Sequence, residues 1–163
     1  MTKESQKDNH PHFLRLAIEA AGTNIAGTRG GPFGAAVVKE GEVIAIACNQ
    51  VVQDNDPTAH AEIVAIREAC RKLGTFQLDD CIIYASCEPC PMCLGAIYWA
   101  RPQAIYYAAH REDAAAIGFD DAHIYQQIPL PPKRRSIPAI NMLRQEAIAV
   151  FRAWEASGSR IPY

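Results

Sequence analysis

Two short segments in the middle of the chain constrain its fold more than any other feature. The first is Pro57-Thr58-Ala59-His60-Ala61-Glu62, and the second is Cys87-Glu88-Pro89-Cys90-Pro91-Met92-Cys93. A helix-borne His, a Cys 30 positions later and a second Cys three positions beyond it supply ligands of the kind that zinc prefers. The set fits zinc with an open fourth position, so we expect the two segments to meet in space.

The residue types of this pairing suit separate tasks. His60, Cys90 and Cys93 can fill three corners of a tetrahedron, leaving the fourth for a water whose pKa a catalytic zinc lowers to roughly 7. Glu62 points to a different side of a helix from His60, so we expect it to move the proton of that water and not to bind the metal. Pro91 lies where a helix would begin, and the dipole of its first turn favours the thiolates that bind metal.

The combination of His-x-Glu with Pro-Cys-x-x-Cys is typical of zinc-dependent base deaminases, and it is complete in this chain. A closed structural zinc site with Cys87 as the fourth ligand is the alternative, but it leaves Glu62 without a role. An iron–sulfur cluster is disfavoured, because Leu94 to Ile97 follow Cys93 without the fourth cysteine of the bacterial pattern.

Length and composition predict one domain over 1–163, with a frayed tail at 1–9. The chain is 49% hydrophobic, shows no signal peptide and has three of its six cysteines in the metal pattern, so we expect a reduced, cytoplasmic protein. No stretch reaches 18 apolar residues, and the net charge is −2, which predicts neither a membrane span nor nucleic-acid binding.

Lys133-Arg134-Arg135 is expected in a solvated loop, with a phosphate or a neighbouring subunit as the alternative partner. Cys48, Cys70 and Cys81 are expected to be small buried hydrophobes.

Hydrophobic periodicity predicts strands that alternate with helices. The predicted helices cover 12–26, 59–73, 91–99 and 112–117, and the predicted strands cover 33–39, 42–47, 81–86 and 104–108. Glu40-Gly41 is expected to close a tight hairpin, Asp56 or Thr58 to cap the second helix, and 50–55 to form a loop. The pattern predicts a mixed sheet, in which a hairpin joins βαβ units, with helices on both faces.

The last part of the chain, 129–163, is predicted to be a proline-rich arm followed by one helix. Pro129 to Pro132 and Pro138 make an irregular, semi-rigid connector. The amphipathic helix ends before Gly158, and its apolar positions are Met142, Leu143, Ala147, Val150, Phe151 and Trp154. A helix on such an arm can cover its own domain or exchange onto a partner chain.

Taken together, these residues resemble the cytidine-deaminase-like zinc hydrolases, and within them the small bacterial guanine deaminases. The resemblance covers nearly the whole chain, from Gly31-Pro32-Phe33-Gly34-Ala35 through both zinc segments to Ile117-Gly118-Phe119-Asp120-Asp121 and Tyr163. It implies a three-layer α/β/α fold with a mixed, about five-stranded sheet and one Zn²⁺ per subunit. It also implies a homodimer in which the C-terminal helix is domain-swapped.

The resemblance further implies hydrolytic removal of the 2-amino group of guanine, which gives xanthine and ammonia. By motif match, His60, Cys90 and Cys93 bind zinc, and Glu62 shuttles protons. The implied substrate contacts are Phe33, Asn49, Ala61, Trp99, Asp121 and the Tyr163 of a partner chain. Guanine offers N1–H and its amino group as donors, which suits a carboxylate such as Asp121.

Other interpretations of these residues and of the activity stay open. Without the family pattern, Asp121 fits a helix cap or surface acid, Asn49 a turn residue, and Phe33 and Trp99 core packing. A guanosine deaminase and a cytosine-type deaminase use the same zinc chemistry, while a tRNA adenosine deaminase would need a basic docking face. A zinc-stabilised binding module without turnover is the hypothesis from another class.

Overall fold

The computed structural model describes residues 9–27 and 29–161, and the predictions for the tail before Asn9 and for Tyr163 lie outside the described residues. The chain separates into two units, one that ends at Asp121 and one that starts at Ala122. The organisation of 1–163 as a single domain therefore stays a prediction. No helix in the described ranges is long and apolar enough to cross a membrane.

The first unit is built on a mixed sheet of β1 (Gly34–Lys39), β2 (Glu42–Cys48), β3 (Cys81–Cys87) and β4 (Ala104–Ala109). The strand order is β2-β1-β3-β4; β1 pairs antiparallel with both β2 and β3, and β3 pairs parallel with β4. The predicted mixed sheet is confirmed, and the described residues give it four strands where about five were expected. The helices of this unit are α1 (His10–Gly22), α2 (Val51–Asp54), α3 (Ala61–Leu73), α4 (Pro91–Ala100) and α5 (Arg111–Ala116).

Helices cover both faces of this sheet, which confirms the predicted three layers. On one face, Phe13 and Ala17 of α1 pack with the buried ring of Tyr84 on β3. On the other face, α3 contributes Ala61 and neighbouring alanines to a core that includes Val37 of β1. Small side chains let the backbones of helix and sheet approach closely, so the start of α3 is held firmly against the sheet.

The β1–β2 hairpin closes as predicted at Glu40-Gly41. Both residues have positive φ, 50° and 84°, as the favoured two-residue hairpin turn requires. The β3 strand runs one residue beyond its predicted end and finishes at Cys87, so it leads directly into the cysteine segment.

Three predicted boundaries are wrong, and local hydrogen bonds explain them. Helix α3 begins at Ala61 with His60 as its N-cap, because the Asp56 carboxylate instead accepts from the N–H and hydroxyl of Thr58 in a local turn. The predicted loop 50–55 contains the short helix α2, whose C-cap Asn55 takes a positive φ of 50°. Helix α1 ends at Gly22, because the N–H of Thr23 turns back to Ala20.

The second unit contains α6 (Ala122–Gln127), a 3₁₀ turn at Pro132–Arg134 and α7 (Arg144–Ala156). The Arg135 guanidinium donates to the carbonyl oxygens of Leu130 and Ile128, which orders the arm between the helices. Helix α6 was not predicted. Helix α7 agrees with the predicted amphipathic helix, but its apolar side chains are exposed, including Val150, Phe151 and Trp154.

Candidate zinc centre and active site

Three side chains converge where α3 and α4 begin. His60 is the N-cap of α3, Cys90 is the N-cap of α4, and Cys93 lies in the first turn of α4. The Nδ1 atom of His60 is 3.6 Å from the Sγ of Cys90 and 3.5 Å from the Sγ of Cys93, and all three atoms lie within 4.8 Å of one another. The two segments that the sequence singled out therefore do meet.

These separations fit zinc. Zinc bonds of about 2.3 Å to sulfur and about 2.0 Å to nitrogen, at tetrahedral angles, place N and S about 3.5 Å apart. A hydrogen bond between the two thiols lowers the pKa of Cys90 to about 4 and raises the pKa of Cys93, so a second thiolate beside the first is unfavourable without a cation. A divalent ion relieves that repulsion, so His60, Cys90 and Cys93 are placed such that they can hold a zinc ion together.

Cys87 lies outside this group. Its thiol points to the carbonyl oxygen of His110, 3.5 Å away, and burial raises its pKa to about 11. The group of potential metal ligands found in the described ranges contains His60, Cys90 and Cys93 and no fourth side chain. This arrangement does not support the closed four-ligand alternative, and it keeps one coordination position for a water or substrate atom.

Glu62 sits in the first turn of α3 and is buried, with 8% of its surface exposed. Burial raises its pKa, partly opposed by a hydrogen bond with its own backbone N–H and by one with the Cys93 thiol. Glu62 does not belong to the group of three potential metal ligands. This agrees with the prediction from its spacing, since residues two apart point to different sides of a helix. A carboxylate with a raised pKa beside a metal can take up and return protons near neutral pH.

Asn49 follows β2 and is buried beside a glycine loop. Its N–H donates to the carbonyl oxygen of Phe33 at 2.9 Å, and its Oδ1 accepts from the N–H of Val51 at 3.1 Å. A Cβ on Gly30 would collide with that Oδ1, so any side chain at residue 30 would force the Asn49 amide to move. Since Val51 takes the amide oxygen, the amide NH₂ group is the part of the Asn49 side chain left to donate to a ligand.

Two segments that carry the family resemblance, residues 31–35 and 117–121, are in contact. The rings of Phe33 and Phe119 meet edge to face, with centroids 4.9 Å apart and planes at 89°. Gly31 is wedged against them, because a Cβ there would lie 2.9 Å from an atom of each ring. Phe119 was not predicted as a site residue. The available signal was an aromatic residue two positions before Asp121 in a motif already singled out.

The remaining predicted contacts have different surroundings. Asp121 is half-buried, and its pKa is raised, first by burial and then by the negative charge of Cys90. Ala61 is fully buried in the core, whereas the Trp99 side chain is 64% exposed. The roles of all the substrate-contact residues remain predictions.

Comparison with known proteins agrees with this geometry. Residues 7–109 match the family model for the cytidine and deoxycytidylate deaminase zinc-binding region. A guanine deaminase from Bacillus subtilis is 52% identical over 95% of this chain and 99% of its own, and a crystal structure of guanine deaminase from that organism superposes with a TM-score of 0.92 over the same shares.

Two other relatives are more distant. A tRNA-specific adenosine deaminase from Aquifex aeolicus is 44% identical over 60% of this chain and 64% of its own. The protein NE0047, solved in complex with 2,6-diaminopurine, is 34% identical over 93% of this chain and 84% of its own, with a TM-score of 0.62. The family match spans both zinc segments and most of the first unit. The chain therefore belongs to the zinc-dependent cytidine and deoxycytidylate deaminase family.

Proposed function

We propose that this protein is a guanine deaminase, which hydrolyses guanine to xanthine and ammonia. The observation that carries the proposal is the three-ligand metal site, whose His60 caps the same helix that holds the buried carboxylate of Glu62 in its first turn. The Bacillus subtilis relative, similar over almost its full length, is a guanine deaminase. NE0047 holds 2,6-diaminopurine, a free purine base that carries a 2-amino group.

The chemical step depends on Glu62. Zinc bound to His60, Cys90 and Cys93 supplies a water acidic enough to be a nucleophile near pH 7. The Glu62 carboxylate takes a proton from water and passes it to a ring nitrogen as oxygen adds to the C2 atom of guanine. Glu62 then takes the remaining proton from the hydroxyl group on C2 and delivers it to the departing amino group. The bond between C2 and the amino nitrogen breaks as the C2 carbonyl forms, and ammonia leaves. Guanine and water are consumed, and xanthine and ammonia are formed, so the reaction balances.

Recognition of the base is assigned to the opposite side of the site. The Asp121 carboxylate accepts from N1–H and the 2-amino group, while the NH₂ of Asn49 donates to an acceptor on the purine. Cytosine has no such pair of adjacent donors, so an opposing carboxylate favours guanine. The Phe33 ring, held edge to face by Phe119, provides an apolar wall for the base.

We also propose that the protein acts as a cytoplasmic homodimer with exchanged C-terminal segments. In the first unit, Tyr98 and Trp99 are 76% and 64% exposed, and Tyr107 of the edge strand β4 is 41% exposed. In the second unit, α7 exposes its own apolar side chains. A second copy of the chain is the partner that supplies matching apolar surface to both, and thiolate ligands suit a reducing compartment.

The test is zinc content together with ammonia release from guanine, guanosine, cytosine, adenine and a tRNA substrate on one purified sample. We expect about one zinc per chain and fast turnover of guanine alone. Fast turnover of guanosine instead would show a pocket with room beside N9 and overturn the free-base assignment. One zinc per chain with no ammonia from any substrate would favour the binding-module hypothesis.

A further inference from the structure

Asn24 lies two residues beyond α1 and outside every motif that defines the zinc centre. It is buried, with 5% of its surface exposed. Its side-chain Nδ2 donates two hydrogen bonds of 2.8 Å, one to the carbonyl oxygen of Gly31 and one to the carbonyl oxygen of Asn49. A single amide nitrogen thus ties the end of α1 to the glycine loop and to the residue that follows β2.

The orientation of the Asn24 amide is fixed by what surrounds it. Rotation by 180° would aim Oδ1 at two carbonyl oxygens and replace two attractions with two repulsions. Within 9–27 and 29–161, no donor reaches Oδ1. The two bonds from Nδ2 therefore set the position of this side chain, and through it the distance between Gly31 and Asn49.

The two residues that accept these bonds belong to the predicted substrate site: Asn49 is itself a predicted substrate contact, and Gly31 lies against another, Phe33. The N–H of Asn49 bonds to the carbonyl oxygen of Phe33 at 2.9 Å, so these two residues move together. Gly31 touches the rings of Phe33 and Phe119 so closely that a Cβ would lie 2.9 Å from each. A shift of Gly31 or Asn49 by a fraction of an ångström therefore displaces both the amide and the aromatic wall that would face the base.

We propose that Asn24 is a positioning residue for the purine base. It does not touch the base; it holds Asn49 and the Phe33 wall at the separation that the base needs. This inference rests on the proposed function, since it concerns the same site. Its hydrogen bonds reach neither the zinc ligands nor Glu62, so its loss weakens binding of the base more than it slows the chemical step.

Steady-state kinetics of Asn24→Ala and Asn24→Asp with guanine test the proposal. We expect Asn24→Ala to raise KM roughly tenfold, the effect of losing two buried hydrogen bonds, with kcat within about threefold and zinc content unchanged. Asn24→Asp fills the same space but turns an oxygen toward two carbonyls, so its KM should rise further. A KM for Asn24→Asp equal to or below that of the alanine variant would mean that the side chain only fills space, and would overturn the proposal.

Thr23→Ala is the matched control, because it removes the 2.7 Å bond from the Thr23 hydroxyl to the Ala20 carbonyl at the same helix end. We expect its KM to stay within about twofold of the wild type, since that bond is exposed and touches neither Gly31 nor Asn49. If Asn24→Ala does not fold, Asn24→Ser, which keeps a donor of shorter reach, replaces it. A rise in KM for Thr23→Ala equal to that for the Asn24 variants would overturn the specific role of Asn24.

A double-mutant cycle separates positioning from general stability. If Asn24 acts through Asn49, Asn24→Ala should raise KM by a smaller factor in the Asn49→Ala background than in the wild type, because the positioned amide is already gone and only the Phe33 wall is left to be displaced. If each substitution instead raises KM by the same factor in both backgrounds, the two residues act independently and the proposal is overturned.

Amide hydrogen exchange at Val51 provides a test without turnover, because its N–H donates to the Asn49 side chain. We expect exchange there to speed up roughly tenfold in Asn24→Ala and to stay unchanged in Thr23→Ala. Unchanged protection at Val51 in Asn24→Ala would overturn the inference. Failure of the wild type to deaminate guanine would remove the proposed function instead, and the Val51 measurement would still decide whether Asn24 holds Asn49.

Discussion

The two sides of the site are built in different ways. The metal end, which comprises His60, Cys90, Cys93 and Glu62, lies on the first turns of two helices and on their caps. The proposed recognition end, which comprises Phe33, Asn49 and Asp121, lies at the ends of strands and in loops that come from three separate parts of the chain. The metal end depends on short-range helix geometry, whereas the recognition end depends on contacts between segments. Variants should therefore affect the metal end through kcat or metal content and the recognition end through KM.

Metal removal is expected to have the largest effect. Chelation should abolish ammonia release, and added zinc should restore it. At pH 7 in the metal-free protein, iodoacetamide should label Cys90, because a pKa of about 4 makes it a thiolate. Cys81, whose pKa burial raises to about 12, should stay unlabelled with or without metal. Equal labelling of Cys90 in the zinc-loaded protein, measured by mass spectrometry, would contradict its role as a ligand.

Glu62→Gln should lower kcat by about 10²–10⁴-fold while zinc content and KM change little, because the amide can accept the same contacts but cannot move protons. The measurement is kcat, KM and zinc content on the same preparation of each variant. Glu68→Gln is the matched control on the same helix, where only an exposed ion pair with Lys72 is lost. Retained turnover in Glu62→Gln would show that another group moves the protons and would contradict the role proposed for Glu62.

Asp121→Asn should lower kcat/KM for guanine by roughly 10–100-fold, mostly through KM, since a charged acceptor of two hydrogen bonds is replaced by a neutral amide. Asp120→Asn makes the same change one position away and should alter kcat/KM less than threefold, about the effect of a surface substitution. A larger loss in kcat than in KM would place Asp121 at the metal end.

The pH profile sharpens this test. In the proposed binding mode, Asp121 accepts both hydrogen bonds from guanine only when it is ionised, so guanine binding should weaken as the pH falls through the pKa of Asp121. Burial raises that pKa, so the loss should begin at a higher pH than for an ordinary aspartate. The Asp121→Asn variant should lack this part of the acidic limb of kcat/KM, and an unchanged limb would assign it to another group.

Deletion of Tyr163 should have the smallest effect, raising KM about three- to tenfold, as expected for the loss of one aromatic contact with the base. The melting temperature should change little, because a terminal residue rarely anchors a core. Tyr163→Phe keeps the ring and should retain most of the activity. Wild-type kinetics from the deletion variant would remove the proposal that this residue closes the site of a partner chain.

The elements of the first unit were predicted well because their signals are local. Alternating apolar residues and the Glu40-Gly41 turn predicted β1 and β2 to within one residue at each end. The start of α3 was predicted two residues early, because Asp56 uses its carboxylate for a local turn with Thr58. The sequence pattern alone does not show that Asp56 forms this turn and leaves His60 as the N-cap of the helix.

The recognition end could be predicted only through family resemblance. Asn49, taken alone, resembles a turn residue, and its buried amide becomes meaningful only when the bonds to Phe33, Val51 and Asn24 are seen. Asn24 was missed because nothing within a few positions of it indicates what it touches. Phe119 was missed although it lies in the Ile117-Gly118-Phe119-Asp120-Asp121 segment, because the segment does not show that its ring meets Phe33.

The sequence by itself determined the metal chemistry. The ligand types, their spacing and Pro91 at a helix start are local properties. Hydrogen bonds within one helical turn fix how far apart two side chains at a given spacing lie. Only the tertiary structure decided that the Cys87 thiol bonds to the His110 carbonyl oxygen and that Gly30 lies against the Asn49 side chain. The same is true of the two hydrogen bonds from the Asn24 amide to the carbonyl oxygens of Gly31 and Asn49. These contacts join residues that are 7 to 25 positions apart in the chain, and such packing is a property of the whole fold.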